Sequence, residues 1–424
     1  MIQTLRRQAS GLDLRFLTST TVLTVGIALA RLFGFGFSLI LARTLTPDQY
    51  GFIQYSITLG GVIAIGTMPF MQHVMARFIG KYKAESEELL AQYMNTFWWM
   101  LMGVVTLSIV IAVPVLALSG KLHLGAMIVF LGMTLFYSYY GLARGHMASY
   151  RLMIAYLGSN VIQVIAIFVV YYLLQNEEVM PALLIYGLSY LVPIVLLQIF
   201  SPLPLFWKLS LPPRDKIVEL VRFATPVWVS HIAYTLYSGI DVLLLERYAG
   251  TAALGAYALS KTLSMLLSFV PIGLNTILLP KAAATPREQH GKLLRQVVVL
   301  FAVANFPFLV LYLLGYQFFV RYLFGHDYVV GFDVILMLAL GEVLYGLHGI
   351  ITAVVVGGNR PQLETVSRIL TVIVVVVVGS LAIPAYGITG AAFTVLISGI
   401  IAVGAYALAL LLERNRKTHD TVQV

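Results

Sequence analysis

The chain contains no cysteine among its 424 residues. That excludes disulfides, thiolate nucleophiles and cysteine-based metal sites. Charge is scarce: Asp, Glu, Lys and Arg together supply 11% of the residues, against roughly a quarter in ordinary soluble domains. No polar stretch exceeds roughly 20 residues, so no soluble domain is expected to hang off the chain. Catalytic signatures are lacking as well. HExxH, GxSxG and an Asp-x-Asp pair are absent, which removes the sequence ground for a zinc hydrolase, an α/β-hydrolase or a metal-dependent glycosyltransferase. The run Gly255–Thr262 nearly spells a phosphate-binding loop, but Ser260 replaces its second glycine. No strand precedes it, and it falls in an apolar run, so it reads as coincidence.

What the chain does hold is hydrocarbon. It is 60% hydrophobic with a mean hydropathy of +0.91, and apolar runs of about 20 residues, the length that crosses a bilayer, recur along it. Twelve spans are predicted: Phe16–Ala42, Gly51–Phe78, Thr96–Leu118, Leu124–Leu142, Leu152–Leu174, Pro181–Phe206, Phe223–Leu245, Leu254–Leu279, Val297–Val320, Phe332–Val356, Val366–Ile383 and Ile388–Leu412. The basic residues test this count. With a cytoplasmic N-terminus, four of the 27 (Arg43, Lys121, Arg247, Arg321) fall outside, Arg31 and Lys261 fall within spans, and the other 21 lie in inner segments. One missed helix would scramble that positive-inside bias. Both termini are therefore expected in the cytoplasm and the chain in the inner membrane. The net charge of +9 is read as topology signal and lipid attraction, not as nucleic-acid binding. Arg6 and Arg7 before Ala28-Leu29-Ala30 resemble a signal peptide, but the apolar run continues past Ala30, so the span is expected to be retained.

The chain repeats itself. Leu41-Ala42-Arg43 to Gly51 follows the first span, and Leu245-Glu246-Arg247 to Gly255 follows the seventh, 204 residues later, with Leu, Arg and Gly in register. Ser56 with Ser260 and Arg77 with Lys281 share the same offset. Six spans per repeat is an even number, so two lobes of equal orientation are expected, related by a pseudo-two-fold along the membrane normal. The division is placed at 1–208 and 209–424, where Ser201–Lys216 carries Pro202, Pro204, Pro212 and Pro213 as a linker. The fold class is an all-α polytopic membrane protein.

Charged residues inside spans are costly and mark sites. Arg31 sits near the middle of the first span, on a face with Thr24, Ala28 and Ser38. At the centre of a spanning helix a guanidinium costs about 2.5–3.5 kcal/mol even on lenient insertion scales. Lys261 shares a face with Ser264, Ser268 and Asn275, while His231, Tyr234, Ser238 and Asp241 form one stripe in the seventh span. The tenth span offers Glu342, Tyr345 and Thr352. Structural readings stand beside these. Asp241 and Lys261 lie at similar depth and could neutralise one another, as could Glu342 and Arg31. His231 and His348 fit ordinary interhelical hydrogen bonds, and Glu364 with Arg368 an i,i+4 ion pair.

Ala30-Arg31-Leu32-Phe33-Gly34-Phe35 followed by Leu41-Ala42-Arg43-Thr44-Leu45-Thr46-Pro47-Asp48-Gln49-Tyr50-Gly51 resembles the opening of the oligosaccharide-lipid flippases. These belong to the multidrug/oligosaccharidyl-lipid/polysaccharide (MOP) exporter superfamily, which also contains the MATE transporters. Thr276-Ile277-Leu278-Leu279-Pro280 and Gly357-Gly358-Asn359-Arg360-Pro361 are similar to its eighth-helix end and its turn between helices 10 and 11. The resemblance implies two lobes opening alternately around a cationic central cavity, and transport of a polyprenyl-diphosphate-linked oligosaccharide to the outer leaflet. Lipid II flippases usually add two C-terminal helices, so twelve spans point to the O-antigen or exopolysaccharide (Wzx-like) branch.

On that reading Arg31 and Lys261, one per lobe, meet the diphosphate, since arginine suits bidentate phosphate contact and lysine supplies a point charge. Ser38, Tyr234, Ser238 and Tyr345 supply cavity or sugar contacts, and Asp241, Glu342 or His231 are candidates for ion coupling. No cofactor and no metal is expected. Partners are the lipid-linked substrate, membrane lipid and a polysaccharide polymerase or glycosyltransferases, with the chain itself a monomer. The alternatives are a multidrug or cation antiporter, which would want acidic cavity groups, and a membrane glycosyltransferase or polymerase.

Overall fold

A computed structural model describes residues 14–67, 74–82, 85–118, 124–146, 149–200, 202–203, 210–283, 285–358 and 361–422. Among them helix dominates and no strand occurs. In hydrocarbon each backbone amide must find its partner inside its own segment, and helices meet that demand without edges. The helices are α1 Leu14–Thr44, α2 Pro47–Ile63, α3 Ala76–Tyr82, α4 Glu87–Leu118, α5 Leu124–Gly145, α6 Ser149–Ile167, α7 Met180–Ser189, α8 Val192–Phe200, α9 Arg214–Ser264, α10 Phe269–Ala283, α11 His290–Leu323, α12 Phe332–Gly357 and α13 Pro361–Val422. Eight helical stretches among the described residues are long and apolar enough to cross a membrane, the last of them Gln362–Leu408. The chain is a multi-pass membrane protein.

Among the described residues each of the twelve expected spans contains helix, but several are not the continuous rods expected. In the second span α2 ends at Ile63 and passes into a 3₁₀ turn over Ala64–Gly66, and α3 covers Ala76–Tyr82. The sixth divides into α7 and α8, because Pro193 has no N–H for the carbonyl four residues back. The eighth tightens to a 3₁₀ turn over Met265–Ser268 before α10, where Pro271 likewise leaves the Leu267 carbonyl without its partner. The fifth ends in a π-helical stretch, Phe168–Leu173.

The connections are shorter than expected. The seventh and eighth spans form one run, α9, broken only at Gly250 (φ 84°, ψ 172°). The eleventh and twelfth are α13, broken at Gly387 (φ 54°, ψ −124°). Both breaks are reversals. Asp241 meets Tyr257 and Lys261 across the first, and Ser367 Oγ donates to the Ala402 carbonyl at 3.0 Å across the second. A positive φ at a one-residue turn is what glycine permits and other residues resist.

The chain packs as two compact units. Unit 1 runs up to Phe37 and adds Ile63–Leu173 and Met180–Trp228; unit 2 holds Ser38–Val62, Leu174–Val179 and the chain from Val229 onward. Helices α1 and α9 therefore each contribute to both. Unit 1 is organised by aromatic packing, with Phe78, Tyr82, Tyr93, Phe97, Phe136 and Tyr190 in one buried cluster. Small residues let its helices approach: a Cβ on Gly132 in α5 would lie 2.2 Å from the Gly187 carbonyl oxygen of α7. Close backbone approach at small residues is the usual means of packing helices in lipid.

Unit 2 shows the internal repeat as a physical contact. The start of α2 is a capping box: the Gln49 amide donates to Thr46 Oγ1 at 3.4 Å, and the Thr46 amide to Gln49 Oε1 at 3.0 Å. Pro47 then occupies the first helical position. This turn lies against the arm of α9 that begins after Gly250. A Cβ on Gly51 would sit 1.9 Å from the Thr251 carbonyl oxygen, and one on Gly255 would sit 1.9 Å from that of Pro47. Pro47 and Thr251, like Gly51 and Gly255, are 204 residues apart. Equivalent residues thus meet reciprocally, as a two-fold relation between repeats requires. Thr251 also donates to the Asp48 carboxylate, Arg43 to the terminal Leu323 carbonyl of α11, and the buried Tyr328 hydroxyl to the Leu45 carbonyl at 3.0 Å.

Candidate functional site

The expected site residues gather most clearly in unit 2, where the α9 reversal brings its two arms side by side. Asp241 is 2% exposed. Lys261 Nζ lies 2.5 Å from its Oδ2, and the Tyr257 hydroxyl donates to the same oxygen, also at 2.5 Å. Asp241 Oδ1 is buried without a hydrogen-bond partner. The pairing raised as a structural reading is therefore present. Its logic is local: Tyr257 and Lys261 are four residues apart on one arm and share a helical face, and the tight turn sets that face against Asp241.

Helices α11 and α12 complete a tyrosine-rich polar knot. Ser260 Oγ and the Tyr316 hydroxyl are 2.5 Å apart, and the Tyr312 hydroxyl donates to the Ser260 carbonyl at 3.3 Å. Glu342 of α12 acts electrostatically on both Tyr257 and Tyr312. Tyr345, expected to contact sugar, is half-buried, and its hydroxyl lies 2.5 Å from Ser398 Oγ of α13. Thr352 meets the Tyr406 hydroxyl at 2.9 Å. Tyr257, Tyr312 and Tyr316 were missed in the sequence. Tyrosines at i,i+4 in an apolar span pass for ordinary core or interface residues until a partner helix is known.

The other expected residues stand apart from this knot or outside the described side chains. Ser38 is buried in unit 2 beside Tyr50, with Gln54 and Thr262 around the same hydroxyl. Tyr50 Oη nonetheless closes no hydrogen bond of good geometry. The side chains of Arg31, His231, Tyr234 and Ser238 lie outside the described residues, and with Arg31 the question of its pairing with Glu342. His348 hydrogen-bonds Ser367 at 3.2 Å, and Arg368 pairs with Glu364 at 2.6 Å, as their structural readings anticipated.

Unit 2 also carries an open surface pocket of about 710 Å³ whose lining includes Thr46, Asp48, Asp327, Asp333 and Thr389. Three carboxylates repel an anion, so this pocket is the wrong sign for a diphosphate. Among the described residues no group of His, Cys, Asp and Glu is arranged to hold a metal ion.

Comparisons with known proteins agree with this architecture. The profile of the polysaccharide biosynthesis protein family matches residues 16–280. No curated protein sequence matches the chain. The structure of the lipid II flippase MurJ in an inward closed conformation superposes with a TM-score of 0.73 at 14% identity, covering 92% of this chain and 87% of that one. An inward-facing multidrug resistance MATE family transporter of the MOP superfamily gives 0.67 at 14% identity, covering 92% and 95%. A MOP superfamily transporter from Pyrococcus furiosus, described as having a binding pocket of reverse polarity, gives 0.56 at 15% identity, covering 92% and 94%. The all-helical polytopic fold expected from the sequence is that of the MOP superfamily.

Proposed function

Because the chain belongs to the polysaccharide biosynthesis protein family, we propose that it is a flippase for lipid-linked oligosaccharide. Its substrate is a polyprenyl-diphosphate-linked glycan, carried from the cytoplasmic to the outer leaflet of the inner membrane, with both termini cytoplasmic. One observation carries the assignment of the site: Lys261, inside a spanning segment, lies 2.5 Å from the carboxylate of Asp241. A diphosphate does not cross roughly 30 Å of hydrocarbon unaided, so its charge must be met inside the protein. Lys261 supplies a point charge for it, and Arg31 is its proposed counterpart from the first repeat. The lobes divide at 208/209, and the prenyl tail stays in lipid while the headgroup moves.

The same chemistry weighs against the other readings. A cation exporter would want uncompensated acid at its centre, whereas Asp241 is neutralised. A polymerase or glycosyltransferase is a partner in this reading, not the activity of the chain. With the cytoplasm negative, outward movement of an anionic headgroup is favoured by about 2.3 kcal/mol per charge per 100 mV.

The test is headgroup flipping of a polyprenyl-diphosphate oligosaccharide in proteoliposomes. Lys261→Ala and Arg31→Ala are each expected to lower the rate at least tenfold, and an imposed potential, positive on the receiving side, to raise it. Undiminished flipping by either variant removes that residue from the diphosphate site. Indifference to both potential and ion gradients refutes the energetic account.

A further inference from the structure

We propose that Asp241 is a displaceable counter-anion, which holds Lys261 while the site is empty and yields it to the diphosphate of the arriving lipid. This rests on the flippase reading above and adds the step by which the cation becomes available.

The geometry of the pair carries it. Lys261 Nζ and the Tyr257 hydroxyl both donate to Asp241 Oδ2, each at 2.5 Å, while the buried Oδ1 meets no donor. A bridge built for stability alone satisfies both carboxylate oxygens, because a buried acceptor left open costs free energy. Here Oδ1 is left open, so the carboxylate engages the lysine through Oδ2 alone. Exposure is uneven in the same sense. The lysine side chain keeps 15% of its surface and the aspartate 3%, so the ammonium is the end an incoming anion reaches. Tyr257 stays with the carboxylate after exchange, since it sits one turn before Lys261 on the same arm.

Chemistry gives the exchange its direction. A diphosphate brings several charged oxygens to an ammonium with three donors, where the carboxylate offers one. Until the diphosphate arrives the pair is neutral and spares the membrane interior a bare charge. The empty protein therefore resets without carrying the charge of Lys261 alone across the field, and membrane potential bears on the loaded stroke.

The experiment measures farnesyl diphosphate binding to the purified full chain in detergent, for wild type, Asp241→Asn, Tyr257→Phe, Lys261→Ala and the Asp241→Asn/Lys261→Ala double variant. Displacement predicts opposite signs at two neighbours. Asp241→Asn removes the competitor and tightens binding about tenfold. Tyr257→Phe leaves the carboxylate more dependent on Lys261 and weakens binding two- to fivefold. Lys261→Ala weakens it at least tenfold, and the double variant matches Lys261→Ala. The hydroxyl deletion is mild, so Tyr257→Phe keeps the idea falsifiable if Asp241→Asn does not fold. Binding that is lost with Lys261→Ala but not tightened by Asp241→Asn, or not weakened by Tyr257→Phe, overturns displacement and leaves the flippase reading intact. No binding by wild type or by Asp241→Asn overturns the diphosphate site itself.

Discussion

The reciprocal glycine contact makes a demanding prediction. Replacing Gly255 by alanine places a Cβ 1.9 Å from the Pro47 carbonyl oxygen, 2.7 Å from its carbon and 3.0 Å from its Cα. All three are backbone atoms, so no side chain can rotate aside. The two segments must separate by more than 1 Å to reach a tolerable contact. Overpacking of this kind costs about 1–3 kcal/mol, equivalent to a roughly 5- to 150-fold shift between contacting and separated arrangements. Gly51→Ala meets the Thr251 carbonyl in the same way and should have the same effect. The absence of cysteine provides the assay: an Asp48→Cys/Thr251→Cys pair places thiols where the two native side chains hydrogen-bond. Its oxidative cross-linking rate in membranes should fall at least fivefold when either alanine is added. Native cross-linking rates in both alanine backgrounds would refute the argument, because they would mean the seam is not closed by glycine.

Other expectations follow from single contacts. Gly387→Ala, at φ 54° and ψ −124°, should cost about 1–3 kcal/mol of strain, read as a lowered thermal midpoint in detergent; an unchanged midpoint would mean the turn relaxes. Tyr328 is 2% exposed, and burial holds its hydroxyl above the usual tyrosine range, so it stays a donor to Leu45 at physiological pH. Tyr328→Phe should therefore destabilise by about 1–3 kcal/mol, visible by the same midpoint. Glu364→Gln, by contrast, removes a pair whose partners are 24% and 33% exposed. Such a pair contributes about 0.3–0.5 kcal/mol, so its midpoint should match wild type within error, and a large drop would assign the pair a buried role.

Much of the fold was legible because a bilayer reduces the problem to hydropathy, length and charge bias. Among the described residues every expected span holds helix for that reason. The interruptions were less legible. Pro271 and Pro193 are visible in the sequence, but Pro114 and Pro307 lie inside uninterrupted helices. Whether a proline breaks a span depends on which neighbours satisfy the freed carbonyl, and that is tertiary information. The site divided similarly. Lys261 and Asp241 stood out because charge in a span is conspicuous. Tyr257, which completes the arrangement, did not, since tyrosine in an apolar run signals nothing until its hydroxyl has a destination. The 204-residue offset was a faint identity in sequence, and it acquired weight only when Gly51 and Gly255 turned out to touch each other's repeat.

That contact and the ion pair belong to one piece of chain. The arm of α9 after Gly250 carries Gly255 against α2, Tyr257 on Asp241, and Lys261 one turn further on. A helix transmits displacement along its axis almost rigidly, with 1.5 Å per residue and its hydrogen bonds running lengthwise. The six residues from Gly255 to Lys261 therefore span about 9 Å, short enough that separating the glycines also shifts the lysine. The 3₁₀ turn beginning at Met265 gives the arm a yielding end just beyond it. In the flippase reading, exchange of Asp241 for diphosphate and opening of the glycine seam are then movements of the same rod. The two are distinguishable: Gly255→Ala should alter farnesyl diphosphate affinity although no glycine atom touches the ligand, whereas Gly387→Ala, on a different hairpin, should lower stability and leave that affinity unchanged. Equal effects of the two glycine variants on affinity would sever the seam from the ion pair.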